Sequence, residues 1–395
     1  MSFLSERSHQ VRAISAAIGC IVVVGVGLSL SIPLLAFVMA EMGASGTMIG
    51  LNTAMGGVAT ILVAPVIPSL AARTGVRGLI LIALLLGGAV FMAFYYATAL
   101  WMLFPLRFLF GAALAVLFVL SEFWINAAAP ERSRGFVMGI YATMLSLGFA
   151  AGPTLLAFFA KGSIIPYVTG ALLFLAAAVP LAFADGVAPK LHRSPEHNFI
   201  GYLRAAPSAV FAAFIFGAVE TGGMSFLPLY GVHIGYSEAM SATLVSVLAL
   251  GNVLVQIPLG LVSDRVDRRH MLLTLGMIGA VGAALLPLVA DNTAILFPLV
   301  AVWGGLIAGL YTVGLAHLGA SFRGADLAGA NATYVMMYSL GMLAGPPIIG
   351  VGFDVWDPHG MPAAIVLLFV LYVAVVIHRL RTLALRRRAA MADAP

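Results

Sequence analysis

An all-α integral membrane fold, with twelve transmembrane helices in two pseudo-symmetric six-helix halves, is what this 395-residue sequence predicts. Three observations predict it. Hydrophobic residues make up 62% of the chain and charged residues only 9%, whereas a soluble domain carries roughly 25% charged residues. Apolar runs of about 20 residues, the length a helix needs to cross the hydrocarbon, recur along the whole chain. The second half also repeats a pattern of the first. Hydrocarbon tolerates this composition because a charge at the bilayer centre is expensive. The 43 glycines suit close helix approach in lipid.

The apolar runs place spans at 12–39, 47–70, 77–97, 100–127, 135–160, 164–184, 207–231, 240–263, 270–290, 293–318, 327–353 and 361–379. Arg7 and Arg12 precede the first run, as they would in a signal peptide. Its apolar stretch, Ala13 to Met39, exceeds the roughly 7–15 residues of a signal core, so it reads as a retained helix. Cys20 lies in this span as the only cysteine, which rules out an intramolecular disulfide. Connections are short except from Asp185 to Pro207, which carries Lys190, Arg193, Glu196 and Arg204. The expected organisation is an N-terminal half (1–184), a cytoplasmic linker (185–206), a C-terminal half (207–380) and a cytoplasmic tail (381–395).

Orientation follows from the basic residues. With the N-terminus in the cytoplasm, every Lys and Arg lies on the cytoplasmic side except Arg107, inside a span, and Lys161. The far loops carry Glu41, Glu238, Asp291, Asp354 and Asp357 instead. The positive-inside rule therefore predicts a multi-pass protein of the inner (plasma) membrane with both termini cytoplasmic. The net charge of +5 is explained by topology, and no nucleic-acid partner is expected.

The internal repeat is clearest in span 5. Tyr141, Met144, Ser146, Leu147, Gly148, Ala151, Gly152 and Pro153 recur in span 11 as Tyr334, Met337, Ser339, Leu340, Gly341, Ala344, Gly345 and Pro346, at an offset of 193 residues. Pro33-Leu34 in span 1 answers Pro228-Leu229 in span 7. The loop from Ser69 to Arg77, containing Arg73, answers Val262 to Arg269. Duplicated six-helix halves with a site near the midplane are a transporter plan.

At Gly260-Leu-Val-Ser-Asp264-Arg265-Val-Asp267-Arg268-Arg269 the chain resembles the major facilitator superfamily, whose cytoplasmic loop motif is Gly-x-x-x-Asp-Arg-x-Gly-Arg-Arg. Asp267 departs from it at the second glycine. In the N-terminal copy, Ala72 and Pro68 replace the acid and the first glycine. The resemblance implies that Asp264, with Arg265 and Arg268, latches neighbouring helices in one conformational state. Arg107-Phe-Leu-Phe-Gly111 is similar to the family's fourth-helix motif, whose Arg serves proton transfer or substrate binding; the plain alternative is an Arg that snorkels to the outer surface. Gly148 to Gly152-Pro153 resembles the drug-antiporter motif without its trailing glycines. Its recurrence in span 11 points to a duplicated packing device. The order Arg107, Glu122, Arg134-Gly135, Phe226 to Tyr230 and Gln256 to Gly260 is most similar to the compact YcaD-like branch.

Two carboxylates lie within apolar spans: Glu220 near the middle of span 7 and Glu122 in the inner half of span 4. Each either carries a proton or hydrogen-bonds a neighbouring helix. Helical spacing puts Phe118, Glu122 and Asn126 on one stripe. Asn252 and Gln256 are one turn apart in span 8, Asn331, Tyr334 and Tyr338 share a face of span 11, and His317 lies near the inner end of span 10. Such residues serve as interhelical glue or as site members. No metal spacing, P-loop or catalytic triad is present, so no cofactor or enzyme activity is expected, and the energy must come from a gradient.

The expected function is secondary active transport of a small organic solute by a monomer, through alternating access with protons as the coupling partner. The few, mixed intramembrane charges disfavour a highly charged substrate. Phe118, Trp124, Trp303, Tyr311, Tyr334 and Tyr338 suit a neutral or weakly charged aromatic metabolite, such as a riboflavin-like vitamin. The alternatives are a multidrug or metabolite efflux antiporter and a non-transporting receptor or scaffold. Tags placed at residue 195 and at the C-terminus should both report cytoplasm, and one near Asp291 the far side. Finding residue 195 outside would overturn the twelve-span arrangement.

Overall fold

The computed structural model describes residues 2–128, 134–159, 162–182, 199–263, 265–322 and 324–392, and leaves the side chains of some helix residues, Asn126 among them, outside the description. All regular structure among the described residues is helical. In hydrocarbon each backbone N–H and C=O must be satisfied within the protein, and a helix does this within its own segment. In chain order the helices are α1 (Ser2–Glu41), α2 (Gly46–Val63), α3 (Ile67–Thr74), α4 (Val76–Tyr95), α5 (Leu100–Ala128), α6 (Arg134–Ala157) and α7 (Ile165–Ala182). They continue with α8 (Phe199–Ala205), α9 (Pro207–His233), α10 (Glu238–Ser263), α11 (Arg268–Val289), α12 (Thr293–Ser321), α13 (Gly324–Val355) and α14 (Gly360–Ala392).

Ten spans among the described residues are long and apolar enough to cross a membrane, and α6 and α7 contribute shorter apolar stretches, Thr143–Ala157 and Ile165–Leu181. These stand where spans 5 and 6 are expected. The second span departs from a plain helix. Pro65 and Pro68 lack the N–H that would continue the ladder, and a 3₁₀ turn at Ala64–Val66 joins α2 to α3. Gly75, at φ 77°, ends α3 in a conformation that favours glycine. The last helix, α14, continues past the expected span to Ala392 through a stretch rich in Arg, Leu and Ala.

The chain forms two compact units. Unit 1 comprises Met1–Pro195 and Met224–Ser246; unit 2 comprises Glu196–Gly223 and Val247–Pro395. Helices α9 and α10 therefore contribute to both, and their connecting turn belongs to unit 1.

Unit 1 is built on three helix pairs, α1 with α6, α2 with α5, and α4 with α7. Glycine makes each approach possible. Gly148 of α6 lies so close to α1 that a Cβ there would stand 2.9 Å from the Val22 carbonyl oxygen. Gly111 of α5 faces Gly56 of α2, and a Cβ on Gly111 would stand 2.9 Å from the Gly56 Cα. Gly87 of α4 receives the ring of Phe174 from α7, in a cluster with Phe91, Phe94 and Phe110. Cys20 is fully buried within this unit's core.

Unit 2 repeats the scheme. Gly341 and Gly345 of α13 meet α9 at Phe214 and Ala218, Gly305 of α12 meets α10 at Gly251, and Gly279 of α11 receives Phe369 of α14. The repeated Gly-x-x-x-Gly-Pro segments thus occupy equivalent packing positions, Gly148 and Gly152 against α1 and Gly341 and Gly345 against α9. The indole of Trp303 donates to the Gly279 carbonyl at 3.0 Å across α11 and α12, which makes this residue part of the packing.

The α2–α5 contact is one-sided. A Cβ on Gly111 would meet the backbone of α2, whereas a Cβ on Gly56 would find open space. Gly111→Ala should therefore destabilise the protein by about 1–3 kcal/mol through overpacking, and Gly56→Ala should be neutral or stabilising by up to about 1 kcal/mol through helix propensity. Melting of the two variants in detergent checks this; equal losses would refute the one-sided contact.

Candidate functional site

Of the polar groups expected inside the membrane, those of unit 2 are largely gathered together and those of unit 1 lie apart. In unit 2 the centre is Glu220 on α9. One turn earlier, Gly217 faces the Tyr338 carbonyl of α13, and the absence of a side chain lets the two helices close up. The Tyr338 hydroxyl then reaches across and donates to Glu220 Oε2 at 2.6 Å. The carboxylate's described partner is thus a neutral phenol.

Aromatic rings surround this pair. Phe216, one turn from Glu220, lies 6.0 Å from the Tyr338 ring and 5.7 Å from that of Tyr311 on α12. Tyr311 lies 5.6 Å from Tyr338 and 5.1 Å from Tyr334. Tyr334 is fully buried, and its hydroxyl donates to the Tyr311 carbonyl at 2.6 Å. These rings contact one another from three helices and fix the phenol that holds Glu220.

A polar chain leaves the same turn of α12. Thr312 donates to Gln256 Oε1 at 2.5 Å, and Gln256 Nε2 donates to Asn252 Oδ1 at 2.7 Å, both on α10. The one-turn spacing of Asn252 and Gln256 is therefore used along α10 and secured from α12. His317 is half-buried further along α12.

In unit 1, Arg107 on α5 is 3% exposed, and its Nη1 donates to Ser31 Oγ of α1 at 3.0 Å. It faces protein, which excludes the snorkelling alternative. Glu122, farther along α5, is exposed and shares its face with the exposed Phe118. Arg107 and Glu122 are thus not brought together. The neighbour of Glu122, Ser121, is buried and shares a 3.1 Å hydrogen bond with Tyr141 of α6. The side chain of Asn126 lies outside the described residues. Trp124 is fully buried.

The loop motif between α10 and α11 is visible in part, since Asp264 lies outside the described residues. Arg265 is exposed, and Arg268 begins α11. Asp267, which stands where the family motif has glycine, caps α11 by accepting from the Arg269 N–H at 2.8 Å. Burial works to raise its pKa, but the Arg269 and His270 backbone N–H groups and side-chain charges outweigh it and hold the carboxyl below its ordinary value. In the N-terminal copy, Arg73 is exposed in the last turn of α3.

Several participants are not singled out by sequence reasoning. Asn52 on α2 is 1% exposed, and its Nδ2 has no hydrogen-bond partner among the described residues. A signal for it exists, since Asn in an apolar span is costly. Ser31, Phe216 and Thr312 carry no comparable signal, because hydroxyls and rings are common in such helices and only their partners distinguish them.

Comparison with known proteins agrees with this architecture. The family model of the Major Facilitator Superfamily matches residues 17–251 and 209–392. The uncharacterised transporter YfkF of Bacillus subtilis is 24% identical over 339 residues, 82% of this chain and 84% of that relative. YcaD of Escherichia coli, also an uncharacterised transporter of this type, is 26% identical over 62% of this chain and 64% of its own. Among solved structures, the nucleoside transporter NupG superposes with a TM-score of 0.73 at 13% identity, covering 95% of this chain and 98% of that one. A bacterial homologue of the human lysosomal transporter Spinster, inward-facing and occupied, gives 0.74 at 15% identity over 95% and 97%. The structural likenesses show a shared fold. With the family match running through both units, the chain belongs to the Major Facilitator Superfamily and is a multi-pass membrane transporter.

Proposed function

We propose that the chain is a proton-coupled secondary transporter that carries a small, neutral or singly charged, partly aromatic solute by alternating access. The observation that carries this reading is the Glu220–Tyr338 hydrogen bond inside an aromatic cluster formed by three apolar helices. An ionised carboxylate at this depth costs at least a few kcal/mol unless a donor satisfies it. The Tyr338 phenol is such a donor. A conformational change that turns the Tyr338 phenol away from the carboxylate removes it, and the acid then takes a proton. A group whose protonation depends on conformation couples the two by linkage.

The aromatic walls and the amide chain of Asn252 and Gln256 support a solute with a flat apolar body and hydrogen-bonding edges, of which a vitamin-like heterocycle is an example. In this reading the six-helix halves flank the linker at 185–206, both termini are cytoplasmic in the inner membrane, and the protein works as a monomer. The loop motif of Asp264, Arg265 and Arg268 biases one conformational state. Close packing of Gly148 and Gly152, repeated at Gly341 and Gly345, accounts for the motif similar to that of drug antiporters without an antiport role.

Glu220→Gln keeps the shape and fixes the neutral form. It should abolish gradient-driven accumulation in proteoliposomes while permitting exchange of substrate across the membrane. Accumulation with unchanged pH dependence would make Glu220 structural. Absence of any saturable flux through the wild type would favour a receptor.

A further inference from the structure

We propose that the end of unit 2 where α8 meets the C-terminal part of α14 is a docking surface for anionic phospholipid, whose phosphate is held between Arg204 and Arg379. The inference concerns a lipid partner and stands whichever solute is carried. α14 is longer than a span requires. Its 33 residues reach about 50 Å, whereas the hydrocarbon is about 30 Å thick. The apolar stretch runs from Gly360 to Thr382, and the helix continues beyond it to Ala392. The arginines of α14 all lie at this end, as Arg379, Arg381, Arg386, Arg387 and Arg388. No Asp or Glu occurs in α14 or in α8, whose one charge is Arg204.

The fold ties two of these cations together. Arg379 Nη2 donates to the Ala205 carbonyl at 3.3 Å, so its guanidinium stands at the last residue of α8, beside Arg204. α8 is itself held in place. Tyr202 meets Phe322 with ring centroids 5.6 Å apart, and Leu203 packs on the core shared by α9, α12 and α13. Arg204 and Arg381 are exposed. Neither they nor Arg379 is paired with a carboxylate among the described residues. The carbonyl takes one of the five N–H donors of Arg379 and leaves the others for an oxygen anion. Position 386 returns to the face of position 379 after about two turns, which extends the cationic face away from the span.

Charge and level together define the partner. Topology accounts for arginines on this side of the membrane, but not for the apolar residues among them. Ile200 is 59% exposed and Leu385 65% exposed. Cations flanked by exposed aliphatic groups, at the point where an apolar span ends, match the headgroup layer. There a phosphate meets the guanidinium forks, which suit its oxygens, and the acyl-chain boundary meets the aliphatic side chains. A soluble acidic partner would answer the charge and leave Ile200 and Leu385 without apolar cover.

The test is native mass spectrometry of the full chain, equilibrated in detergent with equal amounts of phosphatidylglycerol and phosphatidylcholine of the same acyl chains. Both lipids carry a phosphodiester, and they differ in net charge. Phosphatidylglycerol should be retained about fivefold or more over phosphatidylcholine. Arg204→Gln combined with Arg379→Gln should lower that ratio about fivefold or more, and replacing both by Lys should restore part of it, since the charge remains and the fork is lost. Arg73→Gln, at an exposed arginine of unit 1, should leave the ratio unchanged. Excess glycerophosphate, the headgroup chemistry without acyl chains, should not displace the lipid. Equal retention of the two lipids would overturn the surface, as would an unchanged ratio in the Arg204/Arg379 double variant. An equal loss in Arg73→Gln would reduce the preference to overall charge and overturn it too. Displacement by glycerophosphate would make the occupant a free phosphate and refute the lipid.

Discussion

Inside a bilayer no water is at hand to satisfy a polar group, so every donor and acceptor must find its partner within the protein. The rest of the structure depends on this constraint. It makes the chain helical, and it makes the few polar side chains informative. Glu220 is met by Tyr338, Gln256 by Asn252 and Thr312, and Arg107 by Ser31. Each pairing joins two or more helices, so chemistry and packing share the same contacts.

Glycine determines which pairings are possible. Helices that meet through side chains sit about 8–10 Å apart, and glycine allows a closer approach at chosen levels. Gly217 brings α9 against the Tyr338 carbonyl and so presents Glu220 to the Tyr338 phenol. Gly111 does the same for α2 and α5. The repeated frame serves different chemistry in each unit. Unit 1 carries the buried cation and unit 2 the hydrogen-bonded carboxylate, although both are built from the same three kinds of helix pair.

The frame is legible in the sequence because its signals are one-dimensional. Span length, the distribution of Lys and Arg, and the repeat around Gly148 and Gly341 need no knowledge of contacts. Glu220, Tyr338, Asn252 and Gln256 stand out as polar residues in apolar runs, and the fold gathers them around α12 and α13. Phe216 and Thr312 are not legible, because a ring or hydroxyl in such a helix acquires meaning only from its neighbour. Glu122 shows the converse. Its position within an apolar run predicts a buried acid, but a helix has two faces, and this residue lies on the exposed one. Helix periodicity cannot assign faces in a chain that is apolar all round.

The burial of Cys20 has a practical consequence. The chain contains a single thiol, and that thiol is sealed within the first helix's packing. A structural cysteine in apolar surroundings is inert toward maleimides and spin-label reagents. The natural protein is therefore close to a silent background for site-directed labelling: a cysteine introduced on any exposed surface would carry the probe almost alone, and distances between paired labels could be followed through a transport cycle without first stripping the native sequence.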